Sequence, residues 1–393
     1  MINKLIEQNR IKVYLQPIIS IKDKKIFAFE ALTRAYDENN ELISPLYLFE
    51  QASKEHLSSL LDCYVRELAL EKFNHYYKKD NSLLIFLNFE SSIIDQDITD
   101  NFISNVTKHN INTSNIIIEI KEDSVKDNNA LKKFVKRYKE LGFIIAIDDF
   151  GTGYSSFDRL SLIKPDIVKV DRSIIYDIDK NFINSEILNA ISNMCHKIGA
   201  LVLAEGVESK GEILTVLKKD IDIFQGFYFS KAKENITKSI STDIINSICD
   251  IGDDYTTIIK EHMEKKANLV QSSKKLTRKI INIINSNTID YKQKIKNIIK
   301  KDEKLQAVYL LDTNGNQIGD TIIEHQNNSL YNPTKNNHDH SLKEYYFITK
   351  ESKKGNYLSG KYISKASGSM CRTYSTKVNI NEYEYIVCFD IIA

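Results

Sequence analysis

The segment FIIAIDDFGTGYSS (143–156) decides the fold. It begins as an apolar, β-branched run typical of a buried strand and ends in two adjacent carboxylates, Asp148 and Asp149. A turn that contains Gly151 and Gly153 follows directly. Two acids at such a strand end either cap the next helix or bind a metal ion, and the flanking sequence has to distinguish the two explanations.

Seven other strand-like runs lie before residue 232. They are KVYLQPII (12–19), KIFAFEAL (25–32), LLIFLNF (83–89), NIIIEI (115–120), DIVKV (166–170), ALVLAE (200–205) and IFQGFYF (223–229). Most are separated by stretches with apolar residues at helical spacing, so the pattern predicts a (β/α)8 TIM-type barrel. Only SIKDK (20–24) joins the first two runs, which is too short for a parallel crossover. The barrel is therefore predicted to be irregular, with an antiparallel first strand.

The rest of the chain has a different pattern. It is helical and charged up to residue 304 and strand-like afterwards, with a hairpin signal at Asn314-Gly315 and a further predicted strand at EYYFITKE (344–351). We predict a barrel domain (1–235), a helical linker (236–304) and a sensory or dimerisation domain (305–393). This last part resembles PAS or Cache domains and should be a small α+β fold. The HDH run at 338–340 has no partner ligands and is predicted to be a solvated loop.

Composition excludes several classes of protein. The formal net charge of +1 argues against a general DNA- or RNA-binding protein. No apolar run approaches the length of a membrane span, and the charged N-terminus lacks a signal-peptide core. The five cysteines form neither a CxxC pair nor a zinc-binding spacing. They predict reduced thiols in a cytoplasmic protein.

Polar side chains recur where the predicted barrel strands end. They are Glu30, Asn88, Glu119, Asp148, Asp149, Lys169, Glu205 and Gln225. The C-terminal strand ends of a barrel meet on one face, so we predict that these residues share a pocket. Several carboxylates in one pocket repel each other unless some are protonated or cations are bound.

The ligand types indicate which cation. Carboxylate oxygens with one Asn amide, and no nearby His, suit Mg²⁺ or Mn²⁺ better than zinc. Two adjacent acids can serve two ions, which is the arrangement used for in-line displacement at phosphorus. Lys169 would then position the attacking water or offset the charge on a phosphate. For Asp148 and Asp149 we therefore favour the metal-binding explanation over the helix cap.

Eight separated motifs resemble the EAL-domain cyclic-di-GMP phosphodiesterase family, in the family's order. They are LQPI (15–18), FEALTR (29–34), LNFES (87–91), EIKED (119–123), DDFGTGYSS (148–156), VKVDRS (168–173), AEGVES (204–209) and QGFYFSKA (225–232). The resemblance covers roughly residues 5–233 and implies hydrolysis of cyclic di-GMP to linear pGpG. It also implies a homodimer.

The resemblance implies two ions, Mg²⁺ or Mn²⁺, with Asp148 bridging them. Glu30, Asn88 and Glu119 would complete the first site. Asp149 would bind the second ion, and Glu205 would reach that ion directly or through water.

Further positions match family residues with other roles. Lys169 would orient a bridging water or hydroxide. Three residues match positions that contact the dinucleotide: Gln16, Arg34 and Gln225. Glu122 matches a glutamate that braces the glycine loop, and Glu208 would support the site from outside.

Some residues depart from the family's pattern. Lys121 stands where the family has Thr, and Asp123 where Ser is usual, but neither replaces an expected metal ligand. A rival interpretation is a non-catalytic receptor that binds cyclic di-GMP and signals through the C-terminal domain. Degenerate members usually lose a ligand, and this chain has lost none. An unrelated metal-dependent barrel enzyme would require the matches at Gln16, Arg34 and Gln225 to be coincidence.

Overall fold

The computed structural model describes residues 1–90, 94, 101–121, 125, 127–152, 157–286, 291–323, 332–364, 366–380 and 382–392. The chain divides into two compact units, Met1–Thr257 and Ile258–Ala393. Helix α10 (Lys238–Asn285) spans the boundary between them. Within the described residues, no helix combines the length and the apolarity needed to cross a membrane.

A single sheet forms the centre of the first unit. Its strands are β1 (Ile11–Ser20), β2 (Lys25–Tyr36), β3 (Leu42–Ile43), β4 (Leu84–Asn88), β5 (Ile116–Lys121), β6 (Ile144–Phe150), β7 (Ile167–Val170), β8 (Leu201–Ala204) and β9 (Ile223–Phe224). Neighbouring strands from β4 to β9 pair in parallel in chain order, and β2 pairs in parallel with β4. β1 closes the barrel by pairing antiparallel with both β2 and β9. The predicted barrel with an antiparallel first strand is confirmed.

Helices surround this barrel. They are α1 (Ile2–Glu7), α2 (Pro45–Lys54), α3 (Ser58–Tyr77), α4 (Phe102–Lys108), α5 (Asn128–Glu140), α6 (Phe157–Ile163), α7 (Arg172–Ile175), α8 (Phe182–Ile198) and α9 (Lys210–Leu217). Local sequence sets their limits. The Asn181 side chain caps the start of α8, and Gly199 ends it with a φ of 81°. Ser209 and Glu212 form a capping box on α9.

The last barrel strand is shorter than predicted. The run at 223–229 was expected to be a strand throughout, but β9 ends at Phe224. The chain turns because Gly226 lies against the backbone at Val207, where a Cβ would be 2.1 Å from the carbonyl oxygen. Gln225 is therefore the residue at this strand end.

One apolar layer fills the barrel interior. Each barrel strand contributes one buried side chain to it: Ile18, Ala28, Phe86, Ile117, Ala146, Ile167, Leu203 and Ile223. Strand residues two positions apart lie on the same face, so the residues two positions past this layer also point into the barrel. The apolar layer therefore forms a floor beneath these inward-pointing residues.

The second unit has the α+β architecture expected of a PAS-like domain. Its six-stranded antiparallel sheet contains β10 (Leu305–Leu311), β11 (Gln317–Ile323), β12 (Asn356–Leu358), β13 (Tyr362–Ile363), β14 (Met370–Ile380) and β15 (Tyr383–Ile392). Helix α11 (Tyr291–Lys301) precedes the sheet and α12 (Glu344–Glu351) lies within the unit. As predicted, the turn at Asn314-Gly315 joins an antiparallel pair, β10 and β11.

Two predictions for this unit were wrong. The segment at 344–351 is helix α12 and not a strand, because Tyr345 and Thr349, four residues apart, are both buried on one helical face. The HDH run is not wholly solvated. His340 is buried, since its ring stacks on Tyr309 and its two nitrogens contact Tyr345 and Gln317.

Candidate active site

The strand-end residues form a second layer directly above the apolar floor. Seven of them lie two positions after a floor residue, and Gln16 lies two positions before Ile18 because β1 runs in the opposite direction. These residues are Gln16, Glu30, Asn88, Glu119, Asp148, Lys169, Glu205 and Gln225. The period of two along each strand therefore places eight chemically useful side chains in one ring.

Lys169 occupies the centre of this ring and is 1% exposed. Its Nζ lies 2.6 Å from Glu205 Oε1, 2.7 Å from Asp148 Oδ1 and 3.7 Å from Glu30 Oε1. It also contacts Glu119 Oε1. A single ammonium group thus lies among four carboxyl groups.

The other polar side chains hold Glu30 in place. Gln225 Nε2 donates to Glu30 Oε2, and Asn88 Nδ2 lies 3.4 Å from Glu30 Oε1. Gln16 Nε2 donates to the Ser230 carbonyl at 3.2 Å. These hydrogen bonds orient side chains that the barrel already brings together.

A break in strand register explains how both adjacent acids reach the site. Consecutive strand residues normally point to opposite faces. The β6–β7 register shifts between Ile147 and Phe150, and Asp149 has a φ of 59°. Such a bulge redirects a side chain, and Asp tolerates the left-handed conformation better than most residues. As a result, ligand oxygens of Asp148, Asp149 and Glu205 all lie within 4.8 Å of one another.

The tight turn after these acids needs its glycine. Gly151 has a φ of 105°, and a Cβ at this position would lie 2.4 Å from Ile174 Cδ1. The turn therefore fits closely against α7, which fixes the backbone that carries the acid pair.

The cluster holds more negative charge than its lysine can balance. Burial raises the pKa of Glu119 above its ordinary value and raises that of Glu205 to about 8. Burial and the neighbouring Asp148 raise the pKa of Asp149. Burial alone would also raise the pKa of Asp148, but the Lys169 ammonium outweighs it and lowers that pKa. The site therefore needs protons or added cations.

A second lysine approaches the acid pair from β5. Lys121 Nζ lies 3.3 Å from Asp149 Oδ2, and both side chains are partly exposed. Burial acts against the Lys121 ammonium, but Asp149 and Asp148 outweigh this effect and raise its pKa. An ammonium group thus pairs with the carboxylate that the family resemblance assigns to the second ion.

A pocket of about 290 Å³ opens above the ring. Its wall includes Gln16, Glu208, Arg172 and Phe227. Arg172 forms an ion pair with Glu208 at 2.9 Å, and Phe227 is 56% exposed. Arg172 and Phe227 were not among the predicted site residues, although both lie in motifs of the family resemblance, at 168–173 and 225–232. Their nearness to predicted site residues was the available signal.

The predicted residue Arg34 is not among the described residues that line this pocket. Arg34 shares the hairpin face of Glu30 but comes four residues later, past the last β2–β4 pair, with its guanidinium 5.7 Å from the Tyr14 ring centre. Glu122 lies outside the described residues.

The donor set fits hard divalent cations. Glu119 Oε2 and Gln225 Oε1 are buried and accept no hydrogen bond from any residue that the structure describes. Oxygen atoms dominate the ring, and Mg²⁺, Mn²⁺ and Ca²⁺ all prefer such ligands. Bound cations would balance the excess negative charge and use buried oxygens that lack partners.

Comparison with known proteins agrees with the family resemblance of the sequence motifs. The model of the EAL domain family matches residues 1–232. The EAL-domain containing protein YkuI of Bacillus subtilis is 23% identical over 387 residues, which cover 95% of this chain and 93% of YkuI. Cyclic di-GMP phosphodiesterase PdeF of Escherichia coli is 31% identical over 236 residues, covering 59% of this chain and 31% of PdeF. The match thus spans less than a third of PdeF.

The fold is similar along the whole chain to that of one solved structure. This is the crystal structure of Bacillus subtilis YkuI in complex with cyclic di-GMP and calcium. It superposes with a TM-score of 0.83 at 20% sequence identity, covering 100% of this chain and 98% of YkuI. Both units therefore have the fold of their counterparts in YkuI.

Proposed function

Because the chain belongs to the EAL domain family, we propose that it is a metal-dependent phosphodiesterase. Its substrate is cyclic di-GMP, of which it hydrolyses one phosphodiester bond to give linear pGpG. The observation that supports this most strongly is the ring around Lys169, in which four carboxyl groups contact one ammonium. Buried oxygens of this ring also accept no hydrogen bond from the described residues. Curated relatives such as PdeF are named cyclic di-GMP phosphodiesterases.

Two Mg²⁺ or Mn²⁺ ions would be held by the ligand set Glu30, Asn88, Glu119, Asp148, Asp149 and Glu205. When bound, such ions lower the pKa of an attacking water and stabilise the negative charge that develops on the phosphoryl group. Lys169 Nζ adds a fixed positive charge beside the reacting phosphate. Its four carboxylate contacts keep it protonated and hold it in one position.

The pocket wall supplies substrate contacts. The Arg172 guanidinium, held by Glu208, offers a bidentate donor for a phosphate oxygen. Gln16 and Gln225 present amide groups that can bind nucleotide polar atoms. The exposed ring of Phe227 offers a surface on which a guanine can stack. With the substrate fixed at these points, water attacks phosphorus and the P–O bond on the opposite side breaks. A proton of the attacking water then passes to the leaving sugar oxygen.

A turnover assay tests this proposal. Purified full-length protein with cyclic di-GMP and Mn²⁺ or Mg²⁺ should release pGpG, and EDTA should stop the reaction. The variant Glu234→Gln should keep the wild-type rate, because Glu234 pairs with Lys12 on the surface and does not line the pocket among the described residues. If no pGpG formed with either metal at high enzyme concentration, the proposed phosphodiesterase activity would be refuted.

One observation favours the receptor alternative. The Lys121 ammonium pairs with Asp149, the carboxylate that would hold the second ion. If it blocks that ion, the protein would bind cyclic di-GMP without cleaving it and would signal through the second unit. Titration calorimetry with cyclic di-GMP and Ca²⁺ would then show binding, while the Mn²⁺ assay shows no pGpG.

We also propose that the protein acts as a homodimer in the cytoplasm. Apolar side chains are exposed on α6 and α8, with Phe157 69%, Phe182 68% and Ile183 69% exposed. A second copy would cover such residues. The five cysteines are all free thiols, as expected in a reducing compartment. Sedimentation that shows only monomer at micromolar concentration would contradict the dimer.

A further inference from the structure

The second unit contains a cavity of about 250 Å³ on one face of its sheet. Asp390 of β15 and three tyrosines, Tyr309, Tyr345 and Tyr362, form its inner wall. Lys343 and Lys361 also line it. Such a volume equals that of about eight water molecules, so it suits a small organic molecule.

Among the charged residues that line the cavity, Asp390 is buried and only 3% exposed, whereas Lys343, Glu344 and Lys361 reach solvent. The Asp390 carboxylate accepts hydrogen bonds from hydroxyl groups alone among the described residues. Oδ1 accepts from Thr373 at 2.8 Å and Tyr309 at 3.3 Å and lies 3.4 Å from the Tyr362 hydroxyl, which also contacts Thr373 Oγ1. Among the described residues, Oδ2 accepts only from Ser364, at 2.7 Å. A carboxylate has about four acceptor sites, two on each oxygen, so Oδ2 keeps one site open.

The negative charge of Asp390 has no cationic partner in the part of the chain that the structure describes. His340 lines the same cavity, and its ring stacks on Tyr309. Gln317 directs its amide nitrogen at the carbonyls of Gly319 and Thr334, so its Oε1 faces His340 Nε2, which must donate. His340 Nδ1 lies 2.7 Å from the Tyr345 hydroxyl oxygen.

An uncompensated buried carboxylate is costly, and here it borders a cavity instead of packed protein. Burial raises the pKa of Asp390 by more than the surrounding hydroxyl groups lower it. A cation in the cavity would supply the missing charge. The tyrosine rings would add to this attraction, because aromatic faces attract cations.

We propose that this cavity binds a small organic ammonium compound. Its ammonium group pairs with Asp390 Oδ2 and lies against the rings of Tyr309 and Tyr362. A carboxylate ligand is excluded from the inner wall, because it would face Asp390 across a low-dielectric space. The lysines that also line the cavity allow the far end of the ligand to be neutral or acidic.

Titration calorimetry on the full-length protein tests the charge requirement directly. The probes are choline and 4-amino-1-butanol, each paired with an uncharged compound of similar shape, neohexanol and butanediol respectively. At least one ammonium probe should bind, and its neutral partner should bind at least about tenfold more weakly. At about one hundred times its dissociation constant, the probe should raise the melting temperature of the second unit by about 10 °C.

Variants locate the site. Asp390→Asn should abolish binding, whereas Asp339→Asn, the same change on an exposed residue of the neighbouring loop, should leave it unaltered. Ala366→Leu fills the cavity without touching the carboxylate and should also block binding, so the site can be tested even if Asp390→Asn unfolds. The proposal is refuted if neither amine binds, if neutral probes bind equally well, if glycolate binds instead, or if Asp390→Asn keeps wild-type affinity.

Discussion

Lys169 in the barrel and Asp390 in the second unit are both buried charges, but their surroundings differ in kind. Four carboxyl groups of the barrel contact the one ammonium group of Lys169. Asp390 is surrounded by four hydroxyl groups, which are neutral donors. The barrel cluster therefore carries an excess of negative charge. In the second unit, hydroxyl dipoles stabilise the single negative charge of Asp390.

This difference separates the roles of the two regions. A site with excess negative charge depends on ions from solution and is suited to chemistry on phosphates. A single buried acid that is stabilised by hydroxyl groups is suited to reversible binding of a cationic ligand. The ligand balances the charge, but the folded structure does not require it. Four substitutions probe this contrast, starting with the largest expected effect.

The largest effect is expected for Glu30→Ala. Glu30 is held by Gln225 and Asn88 and faces Lys169, so its loss removes a proposed metal ligand and releases two orienting amides. Turnover of cyclic di-GMP should fall by about 10³-fold, as for other groups that stabilise transition-state charge. Initial rates of pGpG release measure this. A rate near that of wild type would show that the ring is not the catalytic site.

Lys169→Met should have the next largest effect, on stability. The substitution leaves four buried carboxyl groups without their shared cation, and the free energy of unfolding should fall by about 3 kcal/mol. Urea unfolding without divalent ions measures it, and millimolar MnCl₂ should restore more stability to the variant than it adds to wild type. Lys180→Met, which removes an exposed lysine paired with Asp177, is the control and should change little. Equal losses in both variants would contradict a shared-cation role.

The sequence predicted the barrel because its determinants are local. Apolar runs with period-two alternation specify strands, and the residue types at their ends specify the ring. Glu30, Lys169 and Glu205 could be found without knowing any long-range contact. The short link at 20–24 was enough to predict the antiparallel first strand.

Other features depend on tertiary structure and were not predictable. The bulge at Asp149 arises from pairing between β6 and β7. The inward position of His340 depends on Gln317 and Tyr345, which come from different elements. The tyrosines of 344–351 suit a strand by propensity, but burial of one helical face against the sheet overrides it.

Lys121→Thr tests whether the excess charge of the barrel is partly neutralised by the protein itself. Removing the ammonium beside Asp149 should strengthen metal binding, because the carboxylate no longer has a competing cation. Both side chains are partly exposed, so the gain should be modest, about a tenfold fall in the Mn²⁺ concentration for half-maximal turnover. Lys136→Thr on the exposed face of α5 is the control. An unchanged Mn²⁺ dependence would show that Lys121 and the ion do not compete.

Thr373→Val should give the smallest effect and completes the comparison. It keeps the shape of a side chain that is 0% exposed and removes one of the four hydroxyl donors to Asp390. Because three donors remain, the free energy of unfolding of the second unit should fall by only about 1 kcal/mol. The control is Thr107→Val, which makes the same substitution at an exposed hydroxyl of α4. If the loss of unfolding free energy instead matched that of Lys169→Met, Asp390 would depend on one dominant hydrogen-bond donor. The charges of Lys169 and Asp390 would then not differ in how they are stabilised.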